Sequence, residues 1–302
     1  MAVQSRAEGP PARVGFTRTD LTMVAVVLIW GANFSVTKIA LQQIPPLAFA
    51  GLRFVFASAL LWAVLRATEG ARPLPPGALR KLIWLGVVGN SIYQLGFLLG
   101  LSYTTAANAS LIIATTPAMV AAAGAALGIE RLRRVAVVGI ALAIGGVVLI
   151  LSARGLSFGS TGVLGDLLLL GCAISWTVYT LGVRSLGGGL SPLAITTWTT
   201  ITGTPGLLLI GLPQLVGTDW LAVGPAAWVG LAYSTVLGVV VAYLLWNNSV
   251  RVAGSNKTAI YGTAIPLVAT LVAWPVLGEA PTLIQGVGAA LIVTGVLLTR
   301  RQ

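Results

Sequence analysis

The sequence predicts an all-α integral membrane protein: ten transmembrane helices built as two inverted five-helix repeats, with the N- and C-termini cytoplasmic. Three observations carry that expectation. Apolar runs near 20 residues succeed one another along the chain, the length a helix needs to cross about 30 Å of hydrocarbon. The chain repeats itself. Its basic residues gather on alternate loops.

Composition sets the class. The 302 residues are 57% hydrophobic and 8% charged, with a mean hydropathy of +0.95, whereas soluble domains carry about 25% charged residues. The apolar runs fall at about 21–40, 47–66, 82–101, 107–127, 135–152, 163–183, 193–212, 226–249, 257–277 and 282–299. None shows the ten-residue polar–apolar alternation of a membrane strand, so helices are expected throughout.

The repeat is direct. Asp20, Trp30 and Lys38 keep the same spacing as Asp166, Trp176 and Arg184, an offset of 146 that also pairs Pro46-Leu47-Ala48 with Pro192-Leu193-Ala194. After a three-residue slip the offset is 149, pairing Gly89 with Gly238, Pro117 with Pro266, Glu130 with Glu279, Gly139 with Gly288 and Gly146 with Gly295. Each half holds five spans, an odd number, so the second copy enters from the opposite side of the membrane and the repeats are inverted. The division expected is a cytoplasmic tail over 1–19, a first five-helix repeat over 20–152, a connecting loop over 153–162 and a second repeat over 163–302. The tail reads as polar and disordered, and the long apolar run after it does not fit a cleavable signal.

Charge placement orients the chain. With the N-terminus inside, fifteen of the eighteen Lys and Arg fall in inner loops and tails. Only Lys38 and Arg154 fall outside, and Arg53 lies within the second span. This positive-inside asymmetry accounts for the net charge of +11 without nucleic acid as a partner. The localisation it implies is a multi-pass cell inner (plasma) membrane protein.

Enzyme chemistry lacks its parts. The chain has no His, one Cys and no phosphate-binding Gly-x-x-x-x-Gly-Lys-Ser/Thr loop, so no metal, no cofactor, no His-based catalysis and no ATP hydrolysis is expected. Cys172 lies in an apolar run and reads as a packing residue. Gly96/Gly100 and Gly124/Gly128, each four apart, read as close helix contacts within one chain, which is expected to work as a monomer.

Polar and aromatic residues inside spans are the site candidates, because such groups are costly in lipid and face the bundle interior. Trp30, Asn33 and Thr37 share one face of the first span, and Trp176, Tyr179 and Thr180 take similar places on the sixth. The third span carries Asn90, Tyr93 and Gln94; its counterpart carries Tyr233, Ser234, Tyr243 and Trp246. Such aromatics either fill a core or line a substrate cavity, stacking on a ring or holding an ammonium group. The fourth span runs from Asn108 to Pro117 and the ninth from Asn256, Lys257 and Thr258 to Pro266. Matching prolines break both halves at the same place, as simple kinks or as gates. Lys257 either attracts a carboxylate or snorkels to headgroups. Arg53, flanked by Leu52, Phe54 and Val55, reads first as a structural residue bonded within the bundle. No Asp or Glu lies near the middle of any span, which removes the usual carboxylate of proton- or sodium-coupled carriers.

Taken together, Trp30-Gly31-Ala32-Asn33-Phe34 with Lys38, Leu52-Arg53-Phe54, Asn108 through Pro117 to Glu130, Trp176 with Arg184, and Tyr243-Leu244-Leu245-Trp246-Asn247 through Pro266 to Gly278-Glu279 resemble the drug/metabolite transporter superfamily. Within it the chain is similar to the EamA-type ten-helix exporters over about residues 20–299, and most of all to the YddG group of aromatic amino-acid exporters. The resemblance implies an exporter of amino acids or other small neutral or zwitterionic metabolites, working by alternating access in the lipid bilayer. Multidrug or lipophilic-cation efflux is the alternative it leaves open. The substrate-binding candidates are Trp30, Asn33, Tyr93, Gln94, Trp176, Tyr179, Tyr243, Trp246, Asn256 and Lys257, with Pro117 and Pro266 as gating kinks.

Overall fold

A computed structural model describes residues 18–70, 73–128, 134–152, 161–184, 186, 189–253, 258 and 261–299. Among these every regular element is helical. The elements are α1 (Arg18–Ala40), α2 (Pro46–Thr68), α3 (Ala78–Tyr103), α4 (Ala106–Ala126), α5 (Arg134–Ser152), α6 (Thr161–Arg184), α7 (Pro192–Gly217), α8 (225–253), α9 (Ile265–Leu277) and α10 (Leu283–Thr299). Seven of them, α1–α4 and α6–α8, are long and apolar enough to cross a membrane, while α5, α9 and α10 are shorter apolar helices.

Their surfaces are inverted relative to a soluble bundle. Large apolar side chains point outward, with Leu209 75% and Trp84 60% exposed, while Arg53, Asn90, Gln94 and a run of threonines are buried. Lipid is the solvent that makes this arrangement stable. The buried threonines need no outside partner. Thr196, Thr199, Thr200 and Thr204 each donate to the carbonyl four residues earlier on α7, at 2.7–2.8 Å.

Helix ends follow the local sequence. Pro46 and Pro192 occupy the first turns of α2 and α7, where a missing N–H costs nothing. Ser191 caps α7 by accepting from Ala194 N at 2.9 Å. α2 has no cap of its own; instead Gln214 Oε1, from the last turns of α7, accepts from Leu47 N at 2.8 Å and Ala48 N at 3.3 Å. That contact explains why α7 runs on to Gly217, five residues past the apolar run read from the sequence, and through Pro205 and Pro213.

Packing between the halves comes in exchange-related pairs. α3 packs on α6 as α8 packs on α1, α1 on α9 as α6 on α4, and α3 on α7 as α8 on α2. Two further pairs join repeat-equivalent helices, α2 with α7 and α5 with α10, and both run antiparallel. Thr204 Oγ1 bonds Phe54 O while Thr197 Oγ1 bonds Leu61 O, so the partner falls as the residue rises. At the α5–α10 crossing, Gly146 meets Gly288 and Gly139 meets Gly295; a Cβ on Gly295 would stand 2.4 Å from Gly139 O. Together with α4, this crossing forms a smaller core of its own around Leu111, Val147, Ile150 and Ile292.

Gly96 and Gly100 are close contacts of α3 on α6, where an added Cβ would stand 2.8 Å from Cys172 Sγ and 2.9 Å from Gly165 O respectively. Gly124 and Gly128 are not: a Cβ on either meets nothing within 4 Å, and Gly128, past the end of α4, takes φ +69°. The spacing of four marks a close approach only where another helix crosses it. Cys172 is buried, as its apolar setting implies, and its thiol donates to Tyr93 O at 3.2 Å.

Two departures from regular helix matter most. α3 contains a π-helical stretch, Val87–Ile92, and α8 another, Ser234–Val241. They occupy repeat-equivalent positions. A π turn widens the helix and re-aims the side chains that follow it. α4 is interrupted at Ala114–Thr115, and a turn at Thr263–Ala264, the equivalent position, leads into α9; Pro117 and Pro266 lie in the first turn of the helix that follows each.

Candidate functional site

An aromatic box closes between α1, α3, α6 and α8, against the π stretches of α3 and α8. Trp30 of α1 and Trp176 of α6, equivalent residues of the two repeats, meet edge to face at 6.3 Å. Trp30 also contacts Tyr243 at 5.9 Å and Trp246 at 5.2 Å. Trp176 in turn contacts Tyr93 at 5.2 Å, Tyr179 at 5.0 Å and Tyr243 at 5.4 Å. Each such pair contributes about 0.5–1.5 kcal/mol beyond its area burial, so the box is a stiff unit. Trp30 Nε1 donates to Gly238 O at 2.9 Å, which fixes the indole to the π turn of α8.

Glycine makes these seats possible. A Cβ on Gly89 would stand 2.2 Å from the Tyr179 ring, and one on Gly238 would stand 2.9 Å from Asn33 Oδ1. The two contacts are exchange-related, since Asn33 and Tyr179 are equivalent positions. One half places a ring against its π turn and the other an amide.

Beside the box lies a polar layer. Gln94 and Tyr243, also repeat-equivalent, join by Gln94 Nε2 donating to Tyr243 Oη at 3.1 Å. Arg53 of α2, only 2% exposed, donates through Nη2 to Gln94 Oε1 and through Nη1 to Ser234 Oγ at 2.6 Å. Ser234 also shares a hydrogen bond with Thr37 at 3.3 Å. Phe49 and Phe54 flank the guanidinium, 5.5 and 5.7 Å from it. Several buried polar atoms here have no partner among the described residues: Asn33 Oδ1, Arg53 Nε and both amide atoms of Asn90. Unfilled donors and acceptors at a protein's centre are costly, about 1–3 kcal/mol each.

At the face where α1, α3 and α9 end and α4 begins, side chains tie these helices together. Gly278 closes α9 with φ +70°, a left-handed turn that places Glu279 over the start of α4. Glu279 Oε1 takes the Lys38 ammonium at 2.8 Å, and its Oε2 accepts from Ala106 N at 2.8 Å and Ala107 N at 3.4 Å. Lys38 Nζ also donates to Thr104 O at 2.6 Å. Beside this, Gln285 Nε2 donates to Asn108 Oδ1 at 2.7 Å.

Of the residues singled out from sequence, Trp30, Asn33, Tyr93, Gln94, Trp176, Tyr179, Tyr243 and Trp246 gather in the box and its polar layer. Pro117 follows the interruption of α4, and Pro266 the turn that leads into α9. Asn256 and Lys257 lie outside the described residues, as does Glu130. Arg53 is bonded within the bundle, as its place inside a span implied, but its partners Gln94 and Ser234, 41 and 181 positions away, could not be read from its neighbours. Asn247, which the sequence showed only as the end of the Tyr243–Asn247 motif, donates to Thr196 Oγ1 at 2.6 Å and links α8 to α7. The Lys38–Glu279 tie spans 241 positions and has no local signature.

Comparison with known proteins accords with this architecture. The EamA-like transporter family matches the chain twice, over residues 17–152 and 163–301. A transporter of Archaeoglobus fulgidus is 30% identical over 285 residues, covering 94% of this chain and 97% of the relative. The inner membrane transporter YedA of Escherichia coli is 31% identical, covering 91% and 88%. A protein of Salmonella typhimurium named a probable amino-acid metabolite efflux pump is 29% identical, covering 90% and 91%. A solved crystal structure superposes with a TM-score of 0.66 at 22% identity, over 93% of this chain and 95% of that one, which speaks to the fold alone. With both halves matched by the family and the outward face built for lipid, this chain is a multi-pass membrane transporter belonging to the EamA-like transporter family.

Proposed function

We propose that the protein exports amino acids and similar small zwitterionic metabolites across the inner membrane by alternating access, without ATP hydrolysis. In this reading ten helices span the bilayer as two inverted halves, 20–152 and 163–302, with both termini cytoplasmic. The observation that carries it is the aromatic box, contributed by both halves and flanked by unfilled polar atoms. A ring or alkyl side chain fits the box, and charged ends fit the polar layer. The antiparallel packing of equivalent helices, α2 on α7 and α5 on α10, supports inversion. The three shorter apolar helices added to the seven long ones support the count. The Lys38–Glu279 tie is then the outer seal, and the breaks at Pro117 and Pro266 are where α4 and α9 bend as the seals alternate. The name of the Salmonella relative points the same way.

A lipophilic cation would also suit aromatic faces, so the substrate class is decided by assay. Purified protein in liposomes is loaded with each of the twenty amino acids and tested for counterflow. Saturable exchange of amino acids is expected. Movement of lipophilic cations with no amino-acid flux would replace this reading with drug efflux.

A further inference from the structure

We infer that Arg53 is the carboxylate anchor of the transport site, and that the protein selects cargo carrying a free carboxylate; this rests on the exporter reading and names its substrate class.

Arg53 is a full positive charge buried at mid-bundle, and among the described residues no carboxylate lies within ion-pair distance of it. Its present partners are neutral: an amide oxygen, a hydroxyl and two rings. Buried cations in membrane proteins are normally paired or face a water-filled path, because isolating a charge from water is costly. A purely structural Arg would be expected to have its donors filled. This one does not. Its Nε is buried without a partner among the described residues, while Nη2 meets only Gln94. Nε and Nη2 form the edge of the guanidinium that grips a carboxylate with two parallel hydrogen bonds. That edge is half empty, and Gln94 Oε1 occupies the other half where a carboxylate oxygen would sit.

The anchor's placement relative to the box gives the cargo its shape. One side chain, Gln94, separates the guanidinium from Tyr243, whose ring is a wall of the box. A carboxylate displacing Gln94 from Arg53 therefore leaves the rest of the molecule toward Trp30 and Trp176. The repeat gives no second cation, since the position equivalent to Arg53 is Thr199. The site thus carries one positive charge and recognises one carboxylate.

The test compares acids with their carboxamides in proteoliposome counterflow, using phenylalanine against phenylalaninamide and leucine against leucinamide, with wild type, Arg53→Gln and Arg53→Lys. Wild type is expected to prefer each acid at least tenfold in kcat/KM. Arg53→Gln is expected to lose that preference, its kcat/KM for the acid falling at least tenfold further than its kcat/KM for the amide. Arg53→Lys should fall between, keeping charge without the two-pronged edge. Equal flux of acid and amide in wild type overturns the proposal, and so does an equal loss on both cargoes in a stably folded Arg53→Gln. Should Arg53→Gln fail to fold, the wild-type acid-to-amide ratio decides alone. Saturable flux of amides or lipophilic cations without acid preference removes the anchor but leaves a carrier. No flux of any cargo removes the exporter reading as well.

Discussion

The tie between Lys38 and Glu279 gives the sharpest mechanical test. Exposed ion pairs are worth little, but this one is not exposed: Lys38 and Glu279 are 25% and 14% accessible, and the carboxylate also caps α4 through two backbone amides. A charge-assisted bond in such a setting contributes about 2 kcal/mol, and favourable charge at a helix N-terminus adds about 0.3–1 kcal/mol. Glu279→Gln keeps an acceptor for the α4 amides but removes the charge. If the tie exists only when this face is closed, the closed state loses about 2 kcal/mol, roughly thirtyfold in the closed-to-open ratio. The assay places a reporter cysteine at Phe34, one turn inside Lys38 and only 5% exposed against Phe97. Native Cys172 is buried and gives little background to a membrane-impermeant thiol reagent. Labelling in Glu279→Gln should rise by at least tenfold over the parent. The charge swap Lys38→Glu with Glu279→Lys should not rescue it, because a lysine over the α4 N-terminus opposes the helix dipole. Unchanged labelling, or full rescue by the swap, refutes the reasoning.

Two further outcomes concern packing. Gly295→Ala should lower the melting temperature by several degrees, about 1–3 kcal/mol, since its Cβ would meet backbone of α5 that cannot give way, whereas Gly145→Ala, with nothing within 4 Å, should be neutral or slightly stabilising in the same thermal unfolding measurement. Gln214→Leu should cost about 1–2 kcal/mol in that measurement by orphaning the Leu47 and Ala48 amides, and Gln214→Glu should recover most of it.

How much was legible in the chain depends on the range of the interaction. The resemblance to the exporter family held at the level of family, because its motifs recur in order along both halves; the closer likeness to the YddG group has no counterpart among the relatives compared above. The aromatic candidates were legible because each is an expensive polar or bulky group at helical spacing inside an apolar run. Their convergence was not. Trp30 reaches Gly238 O across 208 positions, and only the crossing of α1 on α8 brings them together. Gly89 and Gly238 showed in the repeat as matched glycines, yet nothing in one sequence said that each sits in a π turn beneath a side chain of the other half. Gly96 and Gly124 head the same four-residue spacing and have opposite surroundings, since a spacing specifies a bare surface and not what lies against it.

The sequence by itself determined the class of solvent, the helical state of the chain and the doubling of its plan. Hydropathy, length and repetition are carried by neighbouring residues and survive without any knowledge of packing. Only the tertiary structure decided that Arg53 is the hub of a polar layer with a half-empty edge, that Glu279 ties α9 to α1 and α4, and that α7 runs on to shelter the start of α2. Those are bonds between side chains and backbones more than 40 residues apart. Their partners are selected by which helix faces meet, and that is a property of the whole bundle.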